Sequence, residues 1–139
     1  TLIEDFSLTF HKGCVVDFDA RRGKDALKQI LDTEEGARRL GEIALIPADS
    51  PLPQMGLLFY STLFDENASC HFALGRAFAS SVENGENLTE AELWERGLNQ
   101  SLTHVDFMVG TKDLKITGTR ADGSQCKVFE NGVWAEEEA

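Results

Sequence analysis

Apolar and polar residues alternate along the first ten positions of the chain. Ile3, Phe6, Leu8 and Phe10 mark one face, with a slip at Asp5. A period of two is the mark of a half-buried strand. Followed by "HKG" at 11–13 and "CVVDFDA" at 14–20, it predicts a β-hairpin in which Gly13 supplies a positive φ. The spacing changes over 23–41. Ala26, Leu27, Ile30 and Leu31 fall at helical intervals, and the stretch reads as two short helices, the second capped by Thr33 and ended by Gly41. "EIALIP" at 42–47 reads as a short buried strand closed by Pro47. Residues 48–56 read as a loop, and "LLFYSTLF" at 57–64 fits helix and strand equally. "NASCHFALGRAF" at 67–78 has helical spacing. "LTEAELWERG" opens with a capping box from Thr89 to Glu92 and stops at Gly97. "THVDFMVG" at 103–110 predicts a strand. The segment 114–134 reads as a meander turning at Asp122-Gly123 and Asn131-Gly132. Strands joined mostly by hairpins, with short helices among them, predict an α+β fold with a mixed, largely antiparallel sheet.

Composition narrows the functional classes. A length of 139 residues fits a single domain over 1–139, and an apolar fraction of 42% supports a core. Asp and Glu number 24 against 13 Lys and Arg, a net charge of −11. Nucleic acid and anionic membrane both need a basic face, so neither is expected as a partner. An acidic chain suits a cation instead. No apolar run is long enough to span a bilayer. Three cysteines without a CxxC pair argue against a disulfide framework and for a reducing cytosol. The chain starts at Thr1 inside a strand-like alternation, so it is expected to be part of something longer.

The candidate chemistry lies in a few residues set against apolar runs. In "HVD", His104 and Asp106 are two apart, so in a strand they share a face while Val105 points to the other. Their backbone positions are about 6–7 Å apart, close enough to converge on one metal ion. The plain alternative is a pair of edge residues facing water. Glu66 and His71 lie in "LFDENASCHFALGRAF". They converge only if Glu66 sits on a turn before a helix, with Asn67 as its cap and His71 in its first turns. The plain alternative is a core histidine bonded to a carboxylate. Glu42 opens an apolar strand, and alone it reads as a surface residue. Taken together, two imidazoles and three carboxylates suit zinc, cobalt or manganese, and they suit two ions with a bridging carboxylate better than one. Cys14, Cys70 and Cys126 are too scattered for a thiolate site, and His11 reads as a solvated turn residue.

Three segments carry a resemblance. "LGEIALIP", "LFYSTLFDENASCHFALGRAF" and "HVDFMVG" are similar to the metal-site segments of the thermophilic metalloaminopeptidase family, in the same order. The resemblance extends over nearly the whole chain and implies the C-terminal part of such an enzyme. It implies a cytosolic, homodimeric hydrolase that removes N-terminal residues from peptides with two divalent ions. The family's ligands fall on Glu42, as the bridging carboxylate, and on Glu66, His71, His104 and Asp106. Two departures stand out. The family's upstream "EEVF" stretch, with a glutamate ligand and the general base, has no counterpart, so an N-terminal domain of the same chain is expected as a missing partner. The family's tyrosine in "GRAY" is Phe78, which has the shape without the hydroxyl. On one continuous helix, Phe78 would share a face with His71. Natural divergence, an engineered change and a core aromatic all fit Phe78. This chain alone is therefore expected to hold no more than one ion and to be inactive. The alternatives are a non-catalytic binding or dimerisation domain with an incomplete metal site, an acidic interaction module, and a different two-metal hydrolase such as a phosphatase.

Overall fold

The structure is a computed structural model that describes residues 2–51 and 67–136. The expected first hairpin is present. β1 (Glu4–His11) pairs antiparallel with β2 (Cys14–Arg22), and Lys12 and Gly13 at the turn both have positive φ, 49° and 76°. Two positive φ values in a two-residue loop match the right-handed twist of the flanking strands. The slip at Asp5 has a backbone origin. Its φ is +48°, so the chain is not fully extended there and the alternation of faces breaks.

α1 (Lys24–Leu31) buries Leu27 and Leu31, as its spacing requires. The second expected helix is a single 3₁₀ turn over Glu35–Arg38, and Thr33 does not cap it. The Thr33 hydroxyl instead donates to the Gln29 carbonyl at 3.0 Å. A hydroxyl just past a helix end finds carbonyls with no intrahelical partner, and that attraction outweighs the cap. Gly41 is not a helix stop either. It lies inside β3 (Leu40–Ala44), where a Cβ would sit 2.3 Å from the carbonyl oxygens of both Gly75 and Arg76. β3 is also less buried than its composition suggested, with Ile43 62% exposed.

The helix expected over 67–78 does not form. A turn at 67–69 leads into β4 (His71–Gly75). His71, Ala73 and Leu74 are all buried, so successive side chains are covered on both faces of the strand. Such a strand loses its alternation and imitates helical spacing over so short a run. It follows that Asn67 caps no helix at His71, and that Phe78 shares no helical face with it. Phe78 is extended, with φ −105° and ψ 132°. The segment 57–64 and Glu66 lie outside the described residues.

β5 (His104–Met108) forms as expected, and β3, β4 and β5 lie side by side in that order. α2 (Glu90–Glu95) has its complete capping box between Thr89 and Glu92, and Gly97 beyond it has φ +86°. The closing meander is also present. β6 (Ile116–Thr119), β7 (Gln125–Glu130) and β8 (Val133–Trp134) pair antiparallel, with Asn131 and Gly132 at positive φ in the second turn. The architecture is α+β with antiparallel hairpins and few helices.

Contacts divide the chain into two compact units. The first takes in Thr1–Ile43 and Phe72–Asp106, and the second Ala44–His71 and Phe107–Ala139. In the first, Val15, Leu31, Ala37, Ala73 and Leu74 form the core. In the second, Phe129 is fully buried and packs edge-on against Trp134 at 4.5 Å between ring centroids. Among the described residues no helix is long and apolar enough to cross a membrane.

Candidate metal centre

Neighbouring strands lie about 4.7–4.9 Å apart, so β3 and β5, on either side of β4, are separated by roughly twice that. Only long side chains can close that distance. Glu42 on β3 and His104 on β5 do so: His104 Nε2 lies 3.4 Å from Glu42 Oε2. The same nitrogen lies 3.3 Å from Oδ1 of Asp106, the neighbour on its own face of β5. One ligand atom from each of the three residues falls within 4.8 Å of the others. All three are half-buried, and the Asp106 side chain is only 11% exposed. The pairing expected from "HVD" is therefore present, and Glu42 joins it.

Backbone geometry positions the imidazole. Gly75 ends β4 with φ +99°, and a Cβ there would fall 2.2 Å from the Thr103 carbonyl oxygen. Glycine lets the chains approach closely just before His104. The side-chain amide of buried Asn99 donates to the carbonyls of Gly36 at 2.8 Å and Gly75 at 2.6 Å, tying the end of β4 to the 3₁₀ turn. The loop leading into β5 is held by Glu34, whose carboxylate accepts from the Ser101 hydroxyl at 2.7 Å and from the Leu102 backbone N–H. Those bonds, the Ser101 hydroxyl first and the Leu102 N–H next, hold the Glu34 carboxyl below its ordinary range. Nothing in the sequence pattern singled out Asn99, Glu34 or Gly75, because each acts through a backbone group far away in the chain.

The protons on His104 decide what the cluster can do. Nδ1 lies 2.8 Å from the Arg76 carbonyl oxygen. A carbonyl only accepts, so Nδ1 carries a hydrogen. In neutral imidazole Nε2 then has a lone pair, and it lies within 3.4 Å of an oxygen of each of two carboxylates. Three acceptors facing one point repel one another unless a proton or a cation sits among them. Among the described residues no hydrogen bond engages the buried Asp106 Oδ1. The donor set of one imidazole nitrogen and two carboxylates fits a divalent ion. An Nδ1–H to carbonyl bond of this kind is the outer contact typical of histidines that ligate metals.

The other candidates stand as follows. His71 belongs to the second unit. It is 2% exposed, and its Nδ1 lies 3.0 Å from the Ser69 carbonyl oxygen. That places the hydrogen on Nδ1 and leaves Nε2 as the acceptor, the tautomer found at His104. Glu66 lies outside the described residues. Phe78 is 47% exposed, so it is not a core aromatic, and its ring lies 5.2 Å from the His104 ring at a 55° tilt. His11 ends β1 and is exposed, as a turn residue should be.

Comparison with known proteins adds four findings. The family model described as thermophilic metalloprotease (M29) matches residues 1–134. Aminopeptidase AmpS of Bacillus subtilis (strain 168) is 52% identical over 134 residues, covering 96% of this chain and 33% of that protein. Aminopeptidase 2 of Geobacillus stearothermophilus is 54% identical over 136 residues, covering 98% of this chain and 33% of that protein. The solved structure of wild-type AmpT from Thermus thermophilus superposes with a TM-score of 0.86 at 43% identity, covering 98% of this chain and 33% of that one. The chain thus spans about a third of the length of the curated relatives it matches.

Proposed function

This chain belongs to the thermophilic metalloprotease (M29) family, and from that membership we propose that it carries most of the metal ligands of an aminopeptidase. The longer protein would remove N-terminal residues from peptides. The observation that carries the reading is the convergence of Glu42, His104 and Asp106, with Asp106 Oδ1 buried and unpartnered. His71 and Glu66 complete the proposed ligand set, and two ions are proposed for the intact enzyme, zinc, cobalt or manganese. Its cytosolic location and homodimeric state belong to the same proposal.

A divalent ion at this site supplies Lewis acidity for a scissile carbonyl and a water acidified toward neutral pH. The chain's own groups do the positioning. The Arg76 carbonyl holds Nδ1–H of His104, so Nε2 keeps its lone pair turned to the centre. Glu42 and Asp106 contribute negative charge that favours a dication over a proton. Phe78 covers part of the His104 ring and offers no hydroxyl to a developing oxyanion. No general base is assigned within the described residues, and we place it in the rest of the longer protein, as the matched third of its relatives suggests.

Titration with zinc or cobalt tests the centre directly. An ion that binds only the folded chain stabilises it by about 2.7 kcal/mol at a hundred times its dissociation constant. The melting temperature should rise by several degrees, and His104→Ala should abolish the rise. A flat melting temperature from micromolar to millimolar metal would refute the convergent site.

A further inference from the structure

The guanidinium of six of the seven arginines has a hydrogen-bond or ion-pair partner. Arg21, Arg22, Arg38 and Arg39 pair with Asp5, Glu4, Asp32 and Glu35. Arg96 donates to the Glu83 carbonyl and Arg120 to the Ser124 hydroxyl. Arg76 is the exception: among the described residues no hydrogen bond or ion pair engages its exposed guanidinium. In a chain of net charge −11 this is not for want of carboxylates.

Its position is specific. The Arg76 carbonyl is the acceptor that orients His104, so the Arg76 backbone touches a residue of the proposed metal centre. Arg76 also lines a cavity of about 380 Å³, whose lining mixes polar groups with the apolar side chains of Phe78, Leu93, Leu98 and Leu102. Phe78 is shared, standing against the His104 ring on one side and forming part of the cavity. Glu34 and Glu90 line the cavity too; the Glu34 carboxylate is taken up by Ser101 and Leu102, while Glu90 is bonded through its backbone carbonyl to Gln100.

We infer that this cavity holds the part of the substrate beyond the scissile bond, and that Arg76 binds a carboxylate there. The inference rests on the aminopeptidase reading. A guanidinium presents a planar fork that matches a carboxylate in two parallel hydrogen bonds. The apolar part of the lining suits an aliphatic or aromatic side chain beside it. Two substrate groups carry the required charge: the C-terminal carboxylate of a dipeptide, and an acidic side chain on the second residue of a longer peptide. Either makes Arg76 a specificity-determining residue that favours acidic or very short substrates.

The test uses the full-length metal-loaded enzyme and three substrates: Leu-Ala, Leu-Ala amide and Leu-Glu amide. The native enzyme should prefer Leu-Ala over its amide by about 10- to 100-fold in kcat/KM, mostly through KM, the range of a charge-assisted contact. Arg76→Ala should bring that ratio toward one, and Arg76→Lys should restore part of it. If Leu-Glu amide is favoured instead of Leu-Ala, the acidic side chain is the ligand, and its preference should collapse in the same variant. A ratio that Arg76→Ala leaves unchanged overturns the inference. So does a fall in melting temperature without a change in ratio, which would assign Arg76 to an internal ion pair of the longer protein. Absence of metal-dependent hydrolysis of all three substrates overturns the aminopeptidase reading itself, and the inference with it.

Discussion

At Asp106 two carboxylates and an imidazole lone pair crowd one point, and Oδ1 has no hydrogen bond to relieve it. A buried acceptor left unsatisfied costs about 1–3 kcal/mol. Asp106→Asn keeps the shape, removes a charge and offers an amide N–H to His104 Nε2. In the metal-free chain it should therefore raise the melting temperature by a few degrees, while the response to zinc or cobalt disappears. A metal-free Asp106→Asn that melts lower than the native chain would show a cluster held by a proton instead. Phe78 poses the complementary question. Its ring already stands beside His104, with centroids 5.2 Å apart. If one oxyanion donor is what this site lacks, Phe78→Tyr in the full-length enzyme should raise turnover by as much as about 10²-fold. Unchanged or lower turnover would assign position 78 to packing. Neither His104 nor Asp106 needed the structure to be noticed, since alternation alone puts them on one face. Arg76 did, because what marks it is the bond from its backbone carbonyl to His104.

At the scale of elements, the loop into β5 depends on one carboxylate. Glu34 is held below its ordinary range by its bonds to Ser101 and Leu102. A folded-state pKa lower than the unfolded one stabilises the fold above the unfolded value, and the benefit is lost as pH falls through the folded value. The stability difference between the native chain and Glu34→Gln should hold steady from about pH 8 to pH 5, then shrink below about pH 4.5. Denaturant melts across that range check it, and a difference growing toward acid would refute the assignment. The capping box gives a simpler expectation. Thr89→Ala removes the acceptor for the Glu92 N–H and should cost about 1 kcal/mol. Both hairpin turns and this box were legible because turn and cap chemistry acts over a few residues. β4 imitates a helix in the sequence because burial on both faces removes the alternation on which strand recognition rests.

For the whole molecule, metal binding and catalysis should come apart. The described residues bring three acceptors to one point, yet the chain spans only about a third of its relatives. General-base help is typically worth about 10²–10⁴ in rate. The 139-residue chain alone should bind zinc or cobalt, seen as a shift in melting temperature, and hydrolyse a chromogenic aminoacyl amide far more slowly than the full-length enzyme. Turnover within about tenfold of that enzyme would show that this chain carries its own base.

Hairpins, the capping box, the α+β class and the shared face of His104 and Asp106 were determined by the sequence itself. Each depends on residues at most a few positions apart, whose preferences act locally. The tertiary structure alone decided that Glu42 reaches over β4 to His104, and that Gly41 and Gly75 are spacers for close backbone approach. It also decided that Arg76, unlike the chain's other arginines, finds no partner for its guanidinium among the described residues and lies beside a cavity. Those outcomes depend on where distant strands stop against one another, and no local preference encodes that distance.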